Sequence, residues 1–100
     1  MQKHELKTWP EFFASLLSGE KTFELRKNDR DFRIGDQLHL REWSPETKTY
    51  SGREIIKVVR YMLSHRDGAG CAADFGLAPG YVILALSELP SEGNKGASDV

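Results

Sequence analysis

One hundred residues make a single small domain with one modest hydrophobic core. No apolar run approaches the roughly 20 residues of a membrane-spanning helix, and the single cysteine, Cys71, excludes an internal disulfide. A net charge of −1 excludes a protein that coats nucleic acid by electrostatics alone.

The opening residues, Met1 to Glu5, lack the apolar segment of a signal peptide, so the sequence predicts a cytoplasmic protein with no membrane partner. His4 to Lys7 reads as a first strand. Thr8-Trp9-Pro10-Glu11 then has the form of a capping box, with Thr8 as the N-cap and Glu11 three positions on. Phe12, Phe13, Leu16 and Leu17 give the helix that follows an apolar stripe. Gly19 is placed to end it in a left-handed conformation.

Strands dominate the rest. Thr22 to Lys27 is the second strand candidate, and alternation puts Glu24 and Arg26 on one face, Phe23 and Leu25 on the other. The expectation is that the apolar pair faces the core, while the charged pair lines a polar cleft or an ion-paired surface. Asn28 to Asp31 and Ile34-Gly35-Asp36 are breaks. Gln37 to Trp43 alternates, with Leu38 and Leu40 opposite His39, Arg41 and Trp43. Ser44 to Lys48 is turn chemistry, and Gly52 marks the entry to the next strand. Arg53 to Ser64 is too long for a flat strand and predicts a bend or bulge.

His65 to Gly76 reads as a loop, and Gly80 to Leu86 as a buried strand with Tyr81 in the core. The composition from 91 to 100 predicts a disordered tail, leaving 1–90 as the domain. One helix and about five strands give an α+β class: a curled mixed sheet or small β-barrel with a short helix beside it.

The three histidines are scattered singly, so neither a metal nor a cofactor is signalled. Charge is uneven, with five basic residues against three acidic ones between Lys21 and Arg33. That asymmetry suits local recognition of an anionic ligand.

Gly19, Lys21, Glu24 and Arg26 match the pattern G-x-K-x-x-E-x-R residue for residue. With His4-Glu5-Leu6-Lys7-Thr8-Trp9, Arg26 to Phe32 and Gly80-Tyr81-Val82 around it, the chain resembles the ASCH domains of the PUA-like superfamily. It looks like a bacterial and phage subgroup known as a domain of unknown function. The resemblance implies a small β-barrel with a cleft beside the helix, lined by Lys21, Glu24 and Arg26 and shaped by Gly19. It also implies RNA or a nucleotide-like molecule as partner, and a binding module in preference to an enzyme.

One enzymatic branch of that family removes an acyl group from a modified cytidine with a threonine nucleophile, a lysine and a glutamate. Lys21 matches the lysine, but Glu24 stands where the threonine belongs, with Thr22 on the same strand face as a displaced candidate. A small hydrolase acting on a modified-nucleoside amide or an RNA phosphodiester, with Lys21 and Glu24 as acid–base partners, is therefore an alternative, as is a non-catalytic protein-interaction domain. For nucleotide binding, Lys21, Arg26, Arg30 and Lys7 are candidate phosphate or carbonyl donors, and Glu24 accepts from a base or ribose. Trp9 and Trp43 are candidate stacking platforms.

Overall fold

The computed structural model describes residues 1–64 and 76–89, which form β1 (Lys3–Thr8), α1 (Pro10–Ser18), β2 (Phe23–Lys27), β3 (Gln37–Ser44), β4 (Thr49–Ser64) and β5 (Tyr81–Glu88). The expected loop and Cys71 from 65 to 75, and the expected tail from 91 to 100, lie outside the described residues.

All five strands belong to one sheet in the order β1-β3-β4-β5-β2. β1 pairs with β3 in parallel, and the other ladders are antiparallel. The sheet curls until its two edge strands, β1 and β2, face each other. The α+β expectation, a barrel-like sheet with one short helix, matches this architecture. The long strand carries its predicted bulge, where the β4–β5 register shifts between Val59 and Tyr61. A second shift in β3, between Arg41 and Trp43, adds to the curl.

Inside the curl, Leu6, Phe32, Leu38, Leu40, Val59, Val82, Leu84 and Leu86 pack with Leu16 of the helix. Strand alternation supplies this core directly: β1 reads exposed, buried, exposed throughout, so His4, Leu6 and Thr8 point inward.

The start of the helix departs from the sequence reading. Thr8 is the last residue of β1, Trp9 is the N-cap, and no side chain caps the helix. Trp9 sits in extended backbone before Pro10, as a residue preceding proline prefers, and its carbonyl accepts the first helical bond from Phe13 (2.8 Å). Of the four expected stripe residues only Phe13 and Leu16 are buried; Phe12 and Leu17 are half exposed. Gly19 ends the helix with φ +90°, as its position predicts.

Asp36 ties the far end of the barrel together. Its Oδ1 accepts from the Gln2 backbone N–H (2.9 Å), and its Oδ2 from the Arg33 N–H (3.0 Å) and His4 Nε2 (2.8 Å). Its backbone carbonyl accepts from Val59 N–H (2.9 Å). One buried residue thus joins β1, the β2–β3 connection and β4. Burial, the largest single influence, pushes the Asp36 carboxyl up, yet the hydrogen bonds from Gln2, His4 and Arg33 outweigh it and hold it below its ordinary 3.8.

A carboxyl lowered by folding contributes stability that is complete above its unfolded pKa. That contribution is lost as pH falls through the lower folded value. Asp36→Asn is therefore expected to cost about 1–3 kcal/mol at pH 7, the range for an unsatisfied buried donor. Urea melts from pH 7 to pH 2 should show the wild type losing stability below about pH 4, with a shallower fall in the variant.

Candidate functional site

β1 and β2 do not share a ladder, and side chains bridge the seam between them. Arg26 Nη2 donates to the Lys7 carbonyl (2.7 Å), and Arg30 Nη1 donates to the Glu5 carbonyl (2.9 Å). Two arginines from one side thus satisfy two carbonyls on the opposite edge. Beside Arg26 the seam widens into a cleft of about 380 Å³, lined by Lys7, Thr8, Trp9, Phe12, Glu24, Leu25, Arg26, Lys27 and Tyr81. That volume falls in the lower part of the roughly 300–1,000 Å³ range of small-molecule sites.

The face of β2 that enters the protein is the charged one, which reverses half of the sequence expectation. Glu24 is 5% exposed and Arg26 half-buried, whereas Phe23 and Leu25 are 46% and 54% exposed. Alternation was read correctly, but the apolar pair faces outward. The inner positions of β2 border the seam, where Glu24 finds Arg26 and Lys21; a leucine there would leave those cations without a carboxylate.

Arg26 Nε donates to Glu24 Oε1 at 3.2 Å, while Lys21 Nζ approaches Oε2 to 3.8 Å, beyond hydrogen-bond range. Lys21 donates instead to the Phe23 carbonyl (2.6 Å), with its ammonium over the Phe23 ring at 4.7 Å and the Phe12 ring at 5.7 Å. It stands behind Glu24 and outside the cleft lining, so the expectation that it faces the cleft is not met. Gly19 also lies outside the lining; its helix-ending turn leads into Lys21.

Two buried polar atoms of cleft-lining residues have no hydrogen-bond partner among the described residues: Glu24 Oε2, which has Lys21 Nζ at 3.8 Å, and Thr8 Oγ1. They occupy inward positions on opposite edges of the seam. An unsatisfied buried group costs about 1–3 kcal/mol. The protein's other buried carboxylates differ. Both Asp36 oxygens are occupied, and so are both oxygens of Glu42, which accept from Arg53 Nε (2.9 Å), Arg53 Nη2 (3.1 Å) and Ser51 Oγ (2.6 Å). The Arg53 bonds, then that of Ser51, hold Glu42 below the usual carboxylate range. Glu24 alone among these three has an oxygen with no hydrogen bond, held only by the Lys21 ion pair at 3.8 Å.

Aromatic surface frames the mouth. Trp9 and Phe12, each 46% exposed, stack with centroids 6.2 Å apart and planes at 18°, and Tyr81 is 38% exposed. Tyr81 is thus a cleft residue and not the core residue expected. It reaches the mouth through its pairing with Lys27. Lys7 lines the cleft with its ammonium 4.5 Å from the Trp43 ring, which places Trp43 behind Lys7 and outside the lining. Arg30 also stands apart, bordering a smaller recess across Arg26.

Of the predicted site residues, the fold therefore gathers Lys7, Trp9, Glu24 and Arg26. The sequence reading missed Thr8, Phe12, Leu25, Lys27 and Tyr81. Period-two alternation carried from Leu6 would have found Thr8 as an inward residue. Among the described residues no cluster of metal-ligating side chains occurs, and no helix is long and apolar enough to cross a membrane.

Residues 3–86 match the family model described as "Domain of unknown function (DUF3850)". The chain is also 38% identical over 52 residues to the "Uncharacterized 12.9 kDa protein in GpA 3'region" of Escherichia phage P2. That match spans 52% of this chain and 46% of the phage protein, so the chain covers about half the length of this relative.

The seam bonds generate a prediction. Arg26→Ala removes the donors to Glu24 and to the Lys7 carbonyl, and should cost about 1–2 kcal/mol of stability while the domain stays folded. Arg26→Lys should recover only part of this, because one ammonium cannot reproduce the two-sided guanidinium contact. Denaturant melts with a folded-state NMR fingerprint distinguish these outcomes from global unfolding.

Proposed function

The chain belongs to the DUF3850 family, and we propose that it is a nucleic-acid-related binding module of the ASCH, PUA-like type whose cleft takes RNA or a nucleotide-like ligand. The observation that carries this reading is the Glu24–Arg26 pair (Nε to Oε1, 3.2 Å) in the lining of an aromatic-rimmed cleft. A carboxylate paired with an arginine suits a ligand that brings both a donor and an acceptor. Trp9, Phe12 and Tyr81 present ring faces to a planar ligand, and stacking contributes roughly 1–3 kcal/mol per base in single-strand binders.

Roles divide by position. Glu24 contacts the ligand and Arg26 fixes Glu24, with guanidinium N–H groups left over for a carbonyl or phosphate oxygen. Lys21, 3.8 Å behind Glu24, offsets the carboxylate's charge. Lys7 and Lys27 are exposed at the mouth and suit an anionic backbone. Such a site reads an unpaired base, since RNA readers favour bases that can be splayed out and stacked.

Titration of nucleosides, nucleotides and short single-stranded RNAs tests the proposal. In a Trp43→Phe background, ligand should quench the fluorescence of Trp9 and shift the backbone resonances of Thr8, Glu24 and Arg26. Trp9→Ala should weaken binding by about 5- to 150-fold, the equivalent of one base stack. Absence of binding across all three ligand classes removes the reading. Shifts confined to Phe23 and Leu25 on the outer face would favour the protein-interaction alternative.

A further inference from the structure

We infer that the small recess between Arg26 and Arg30 is a phosphate subsite, and that the ligand is a phosphate monoester whose ring lies in the cleft and whose terminal phosphate lies on these two arginines. The inference rests on the cleft reading above and names the group at the other end of that ligand. The recess, about 90 Å³, is lined by Leu6, Arg26, Lys27, Asp29, Arg30 and Phe32. It is far below the roughly 300 Å³ at which small-molecule sites begin, so it suits one group of a ligand and not a ring system. Arg26 and Lys27 also line the cleft, so the two hollows adjoin along the seam.

Backbone fixes the two guanidinium groups in place. Arg26 Nη2 and Arg30 Nη1 donate to the carbonyls of Lys7 and Glu5, which stand two residues apart on β1 and so about 7 Å apart along its edge. Charge-assisted N–H···O bonds are about 2.8 Å long, so arginines anchored at that spacing can both reach one anion between them. Donors remain for it. Arg26 gives its Nε–H to Glu24 and one Nη2–H to Lys7, and Arg30 gives one Nη1–H to Glu5, which leaves N–H groups on both forks unspent. Leu6 and Phe32, both buried, back the recess with apolar surface that strengthens the attraction.

Charge and shape then select the ligand. Arg26, Lys27 and Arg30 face a single carboxylate in the lining, that of Asp29. It stands 3.9 Å from Arg30 Nε, beyond hydrogen-bond range, with its side chain 64% exposed. A phosphate monoester brings three terminal oxygens, one for each cation, and a charge of about −1.5 to −2 at pH 7. A carboxylate fits the fork of a single arginine. An internal RNA phosphodiester keeps fewer free oxygens and less charge, so the recess favours a nucleotide or a phosphorylated strand end.

Inorganic phosphate alone, titrated at constant ionic strength, should shift the Nε–H resonances of Arg26 and Arg30 saturably and leave the Trp9 indole unmoved. At least one nucleoside 5′- or 3′-monophosphate should bind about tenfold or more tightly than its nucleoside, the equivalent of one charge-assisted hydrogen bond. A dinucleotide without a terminal phosphate should bind like the nucleosides. Phosphorylated oligonucleotides against mononucleotides then tell a strand end from a free nucleotide.

In Arg30→Gln the nucleotide-to-nucleoside affinity ratio should fall toward one. Arg30 also holds the Glu5 carbonyl, so Lys27→Gln, at an exposed residue, supplies a second loss that does not touch the seam bonds. Asp29→Asn should act in the opposite direction. It removes the opposing carboxylate and should tighten phosphate by about two- to fivefold, the scale of one exposed charge pair.

Phosphate that moves neither arginine, an unchanged ratio in folded Arg30→Gln and Lys27→Gln, a dinucleotide that binds as tightly as the monophosphates, or no tightening in Asp29→Asn each overturns the inference, whatever the cleft binds. If no nucleoside, nucleotide or RNA binds while phosphate is still held by Arg26 and Arg30, the reading of the cleft fails instead, and the recess stands as a site for phosphate itself.

Discussion

A five-stranded sheet curled into a barrel must do something with its two edges, and in this protein they meet without pairing. Edge strands present rows of unsatisfied backbone groups. Here the answer is to cap β1 carbonyls with arginine side chains from the opposite side: Arg26 on Lys7 and Arg30 on Glu5. Side chains are longer than a backbone hydrogen bond, so the edges stand further apart than ladder spacing allows. The cleft is the room left by that choice. Its floor is made of whatever the two edge strands point inward, which is Thr8 from β1 and Glu24 and Arg26 from β2.

Elsewhere the protein treats buried charge conservatively. Asp36 is bonded on both oxygens and organises three segments of chain. Glu42 is gripped by a forked arginine and a serine. These carboxylates stabilise because their partners remove the penalty of leaving water. Glu24 follows the same rule with Arg26 on one oxygen and has only the Lys21 ion pair, at 3.8 Å, on the other. The outward-facing apolar pair Phe23 and Leu25 has the same origin, since the strand cannot present its charges to the seam without turning those residues to the surface.

Much of the fold was legible because periodicity reports burial. The inward leucines of β3, the helix stop at Gly19 and the bulge in β4 all follow from local pattern. The site was half legible. Glu24 and Arg26 stood out as an alternating charged pair, but alternation gives two faces without saying which is inside, and an apolar pair is ordinarily the inner one. Only the position of β2 at a sheet edge reverses that, and edge position depends on the long-range order β1-β3-β4-β5-β2. Thr8 was obscured by a competing local signal: threonine three residues before glutamate has the form of a cap. The strand nonetheless runs one residue further and leaves Trp9 to begin the helix. Lys21 and Trp43 lie close to site residues yet behind them, a distinction no spacing pattern contains.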